Sequence, residues 1–187
     1  MRHWLMKTEP SVFSLDDLRR KGREGWDGVR NYEARNSMRA MRVGDPVLIY
    51  HSNAETIGVA GLAEISREAQ PDATAWDPAN EHFDPRSTPE RPLWDQVEVA
   101  FVRAFPRLVT REDLQGIPAF SASLLWKRSR LSVIPLTDAE FAAVLFAAEL
   151  PAADGDQRAR PERAAAVRIR SSGQGSGRGP SPKRASR

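Results

Sequence analysis

The stretch Trp26-Asp-Gly-Val-Arg-Asn-Tyr-Glu-Ala-Arg-Asn36, followed by Met41-Arg-Val-Gly-Asp-Pro-Val-Leu-Ile-Tyr-His-Ser52, carries the decisive pattern of this chain. Tyr32, Arg35, Met38 and Met41 fall at helical spacing, Asn31 stands where a cap belongs, and Gly44 with Pro46 stops the helix. Pro46 to His51 then reads as a strand rich in β-formers. The same stretch gathers Trp26, Asn31, Tyr32, Arg35, Asn36, Tyr50, His51 and Ser52 into fewer than thirty positions. Aromatic faces supply stacking, and amides and guanidinium groups supply directional hydrogen bonds. That is the inventory of a pocket that stacks a flat polar ligand and reads its edges. Asn31 keeps two readings, helix cap or ligand contact.

Outward from this stretch, Arg2 to Lys7 alternates as a strand that Pro10 ends, and Ser14-Leu-Asp-Asp-Leu18 reads as a capped helical turn. Ile57 to Ile65 is a further strand, in which Gly58 and Gly61 imply a bulge or the close approach of another backbone. Residues 67–93 are rich in proline and read as a long irregular loop, partly ordered through Trp76, His82 and Phe83. Trp94 to Phe105 alternates as a strand. Thr110 to Asp113 opens a short helix, Ser121 to Trp126 forms another, and Leu131 to Leu136 is the last strand. Thr137-Asp-Ala-Glu140 is a capping box that starts a helix running to about Leu150. Helices do not alternate regularly with strands, so the expected class is α+β: five to six mostly antiparallel strands in a closed sheet, with short peripheral helices.

Charge divides the chain. Residues 151–187 hold nine Lys/Arg and three Asp/Glu, a net of +6, which leaves 19 against 22, a net of −3, for residues 1–150. The reading is a folded domain over 1–150 and a basic, Gly/Ser-rich tail over 151–187 that lacks the apolar residues for a core. The tail is either a phosphate-binding tether or a solvated extension. Without cysteine there are no disulfides or thiolate zinc sites, and three histidines are too few for a multi-histidine metal centre. No apolar run is long enough to span a membrane. The expectation is a cytoplasmic monomer without cofactor or metal.

Several segments, in order, resemble the EVE-domain family of the PUA-like fold, in its bacterial type. They are Trp4-Leu-Met-Lys-Thr-Glu-Pro10, the 26–36 and 43–52 stretches, Gly58-Val-Ala-Gly61, Asp72-Ala-Thr-Ala-Trp-Asp77 and Ser129-Arg-Leu-Ser-Val133. The resemblance implies a PUA-like pseudo-barrel and a pocket for a modified nucleobase in DNA or RNA. Three positions depart from the family pattern: Arg128 in place of glycine, Gln70 in place of an aromatic and His82 in place of tyrosine.

The expected partner is therefore nucleic acid carrying a modified cytosine or adenine, with the basic tail on phosphates. Trp26, Tyr32 and Trp76 are the candidate stacking faces, whereas Trp4, Trp94 and Trp126 read as structural. Asn31, Asn36, Ser52 and the backbone near His51 can pair with a base edge. Lys7 and Arg35 can hold phosphates, and Glu9 can orient one of them. Ser129 and Arg130 read as pocket rim or as plain turn. Two other readings stay open. One is an enzyme using Glu9, Asp27 or His51 as acid and base, although no nucleotide-loop, deaminase or nucleophile-elbow motif is present. The other is a protein-binding adaptor.

Overall fold

The computed structural model describes residues 1–150. The expectations for the tail lie outside the described residues. Six strands form one sheet: β1 (His3–Thr8), β2 (Arg23–Trp26), β3 (Pro46–His51), β4 (Gly58–Pro71), β5 (Asp95–Thr110) and β6 (Val133–Leu136). Their order is β2-β5-β4-β3-β1-β6. Around them run α1 (Leu15–Lys21), α2 (Tyr32–Ala40), α3 (Arg111–Gly116), α4 (Leu124–Lys127) and α5 (Asp138–Glu149).

The α+β class and the mostly antiparallel pairing hold, but the sheet is open rather than closed. β1 and β3 are parallel, with Leu5 opposite Leu48, while the other four pairings are antiparallel. A parallel pair needs a long crossover, and α1, β2 and α2 supply it. β2, which the sequence reading left without an element, lies at the far edge and pairs Trp26 with Val97 of β5. β4 and β5 are longer than expected. Their ladder shifts register at four places, and such bulges bend and twist long strands.

The two glycines of β4 act as their positions suggest. A Cβ on Gly58 would stand 2.3 Å from the Val109 carbonyl oxygen, and one on Gly61 would stand 2.5 Å from that of Arg103. Only a residue without a side chain lets β5 approach so closely.

Caps set the helix starts. Ser14 with Asp17, Thr110 with Asp113, and Thr137 with Glu140 form reciprocal capping boxes. The Asn31 side chain accepts from the N–H groups of Glu33 and Ala34, which fixes the start of α2. The core is built on Leu5, Met6, Leu48, Ile49, Ile65, Val97 and Val99, all buried. Trp4 joins it and donates its Nε1–H to Asp45 Oδ2 at 3.1 Å. Residues 72–94 have their own polar frame. Buried Asp72 accepts from Gly28 N–H, from Arg30 Nη1 at 2.7 Å, and from the N–H and hydroxyl of Thr74. Buried Asp84 accepts from Trp94 Nε1 at 2.9 Å and from the Arg86 guanidinium.

Candidate functional site

β1 and β3 end side by side because their parallel ladder runs through to Thr8 and His51. The chain then carries Glu9 and Ser52 outward from adjacent strand ends. Ser52 stays tied to β1: its N–H and its hydroxyl both donate to the Thr8 carbonyl, at 2.8 and 3.2 Å. On the other flank the turn before β6 closes against β1 through Lys7 N–H to Ser132 O at 2.8 Å. Between these ends and the α3–α4 segment opens a pocket of about 500 Å³. Such a volume is in the range of small-molecule and cofactor sites.

The polar lining of the pocket is mainly cationic. Lys7, Arg111 and Arg130 contribute to it, together with the carboxylate of Glu9, whose Oε2 accepts from Asn53 at 3.0 Å. The Lys7 ammonium donates to the Ser129 carbonyl at 3.0 Å. Burial, and then the neighbouring Arg111 cation, hold its pKa below the ordinary lysine value. The pocket's apolar lining is Ile57, Leu125, Leu131 and Trp126. Trp126 is fixed in place, donating Nε1–H to the Phe120 carbonyl at 2.7 Å, with the Arg111 guanidinium 5.8 Å from its ring centre. Tyr50 closes the floor, 4% exposed, and burial raises its phenol pKa. A fixed indole in one pocket with hydrogen-bonding groups and cations can hold a flat, polar, anionic ligand.

The structure brings Lys7, Glu9, Ser52, Ser129 and Arg130 together in this pocket. Asn31, Tyr32, Arg35 and Asn36 gather instead at the start of α2. There Tyr32 stacks on Trp94, and Arg35 donates to Leu93 O at 2.8 Å and to Asn36 Oδ1 at 2.9 Å. Trp26 is 9% exposed and meets Phe13 edge-on at 6.3 Å, because its strand pairs with β5 and turns the ring into the core. His51 Nε2 accepts from Leu15 N–H at 3.1 Å. Burial lowers its pKa, with Asp16 opposing. Trp76 donates to Ser87 Oγ at 3.2 Å within the 72–94 loop. Trp126, read from the sequence as structural, holds such contacts through Phe120 and also lines the pocket. Arg111, Gln115, Thr8 and Ile57 are further lining residues that sequence reasoning passed over. One signal was available for Trp126: it lies three and four positions before Ser129 and Arg130.

The three departures from the family pattern do not fall alike. Arg128 has φ −124°, an ordinary conformation, so the missing glycine imposes no strain there. Gln70 pairs with Gln96 in the β4–β5 ladder, and the His82 carbonyl accepts from Arg30 Nε at 2.6 Å. Neither lines the pocket.

Comparison with known proteins adds to this geometry. The EVE domain matches residues 2–147. Thymocyte nuclear protein 1 of Homo sapiens is 41% identical over 162 residues, covering 76% of this chain and 72% of that protein. A structure of human THYN1 protein in complex with DNA containing 5-methylcytosine superposes with TM-score 0.76 at 40% identity, over 81% of this chain and 99% of the other. A hypothetical protein from Leishmania major gives TM-score 0.77 at 46% identity, over 80% and 95%. The α+β, PUA-like architecture expected from the sequence is that of these neighbours.

Proposed function

The chain belongs to the EVE-domain family, and on that premise we propose that it is a non-catalytic module that binds DNA and reads a modified base in the pocket walled by Trp126. The observation that carries this reading is the human THYN1 protein, 40% identical over most of the fold and solved with 5-methylcytosine DNA. Methylated cytosine is therefore the first candidate ligand, ahead of a modified base in RNA. In this reading the base is extruded from its stack and lies on Trp126, an interaction that contributes about 1–3 kcal/mol. Ser52, Glu9 and the Ser129 carbonyl face its edge, while Lys7, Arg111 and Arg130 face the phosphates. A methyl group buried against Ile57 or Leu125 adds about 0.8 kcal/mol, or about fourfold in affinity.

The non-catalytic part of the proposal is supported by what the candidate acids and bases are engaged in. The acceptor nitrogen of His51 is already taken by Leu15 N–H, at 3.1 Å. Asp27 lies beside Asp72 and His82, away from Glu9; burial first, then the Asp72 charge, raises its pKa. No two of these three meet in the pocket. The basic tail over 151–187 would add sequence-independent phosphate contact, and a cytoplasmic site with access to the chromosome suits this role.

The test is titration of short oligonucleotides with cytosine or 5-methylcytosine at one position, using wild type and Trp126→Ala. The expected result is tighter binding of the methylated strand, with a loss of about tenfold in the variant. Equal affinity for both strands, unchanged by Trp126→Ala, overturns the proposal.

A further inference from the structure

Outside the pocket, the start of α2 presents an aromatic ring in an unusual setting. Tyr32 is 48% exposed, yet its ring is not loose. It stacks on Trp94 with centroids 4.8 Å apart and planes 29° from parallel. Trp94 is 2% exposed and clamped by its Nε1–H to Asp84 Oδ2 at 2.9 Å. Asp84 is in turn gripped by Arg86 through two nitrogens, at 3.0 and 2.8 Å. Tyr32 therefore rests on a rigid base and has little freedom to lose on binding.

The Arg35 guanidinium carbon lies 4.8 Å from the Tyr32 centroid and 5.9 Å from that of Trp94, so the cation is held against both rings. Tyr32, stacked on Trp94 through one face, still keeps 48% of its surface exposed. Arg35 has no carboxylate partner among the described residues. Arg86, whose side chain is 66% exposed, carries its charge close enough to Tyr32 for the two to interact. The next residue of α2, Glu33, meets Arg128 at 3.7 Å, and Arg128 adjoins the pocket residues Ser129 and Arg130. The platform and the pocket rim are thus joined through one ion pair.

We propose that the outer face of Tyr32, flanked by Arg35 and Arg86, is a second nucleic-acid site, on which a base of the strand flanking the pocket stacks without regard to its identity. Every base has a π-face, so such a platform adds affinity and no selectivity. The cations beside it meet the flanking phosphates. The proposal rests on nucleic acid being the ligand, but not on the pocket's choice of base.

Anisotropy of labelled single-stranded oligonucleotides, unmodified or carrying one 5-methylcytosine, tests it on the full chain. The variants are Tyr32→Ala, Tyr32→Leu, which still covers Trp94 without a flat face, and Tyr32→Phe. The expected result is a loss of about tenfold on both strands for Ala and Leu, with the methylated-to-unmethylated ratio of wild type retained and binding restored by Phe. Wild-type affinity in Tyr32→Leu overturns the platform, as does a loss confined to the methylated strand. Equal binding of the two strands by wild type would refute the pocket reading alone, because the Tyr32 variants would still report on the unmodified strand. Binding of neither strand by wild type overturns both and leaves the exposed ring to a protein partner.

Discussion

Single residues in this chain separate what an amphipathic side chain can do from what its surroundings let it do. Trp26 and Trp126 are chemically the same, yet one ring is locked into the core against Phe13 and the other walls a pocket. Trp26→Ala is accordingly expected to cost about 3–5 kcal/mol of stability, measured by denaturant unfolding. A variant with unchanged stability and lost ligand would contradict its placement. Asn31 caps the start of α2 with two side-chain hydrogen bonds, so Asn31→Ala should lower stability by about 1 kcal/mol. The strand direction of residues 23–26 decides the tryptophan question. Nothing in Arg-Glu-Gly-Trp reads as a strand, because its stability comes from β5 rather than from its own alternation. That tertiary origin is why the sequence suggested a stacking face there. Lys7, Glu9, Ser52, Ser129 and Arg130 stood out separately in the sequence, and it is the pairing of β1 with β3 and β6 that gathers them around one pocket.

At the scale of elements, local signals and long-range ones fared differently. Capping boxes at Ser14, Thr110 and Thr137 announce their helices because cap chemistry is contained within four residues. The parallel pairing of β1 with β3 has no such local sign, since the crossover that produces it spans the whole of the 9–45 region. Gly58 and Gly61 foretell the close approach of β5, though not which strand makes it. Gly58→Ala should cost roughly 1–3 kcal/mol through overpacking against the Val109 carbonyl, read from the unfolding midpoint. The 72–94 loop is held by the Arg30–Asp72 pair, in which Asp72 is fully buried. Arg30→Ala takes away the cationic partner and leaves that carboxylate to Gly28 and Thr74, and is expected to cost about 1–3 kcal/mol. A loop that merely covered the sheet would tolerate the change.

Across the molecule, the charges of residues 1–150 shape its response to pH. Asp45, Asp72 and Asp113 all sit below the usual carboxylate value. Burial opposes this in each, but donors outweigh it: Trp4 for Asp45, Thr74 and Arg30 for Asp72, and Arg107 for Asp113. A carboxylate with a depressed folded pKa lends stability that is present above its unfolded value, near 3.8, and is lost as pH falls below it. His51 acts earlier and in the same direction. Its folded pKa is below 6.5, so the unfolded imidazole takes up the proton first and stability starts to fall below about pH 6.5. Thermal melts from pH 8 to pH 3 should therefore show a shallow decline below pH 6.5 and a steep one below pH 4. His51→Gln should remove the first, and its persistence would contradict this assignment. The tail is the remaining large charge, and truncation after residue 150 should flatten the salt dependence of DNA binding if it touches phosphates.

Reading of a modified base by the Trp126 pocket is tested by the affinity ratio between a 5-methylcytosine strand and the same unmodified strand, in wild type and in Trp126→Ala. A ratio of about fourfold or more is expected in wild type, collapsing towards one in the variant. A ratio of one in wild type, or a ratio that survives loss of the indole, would contradict it.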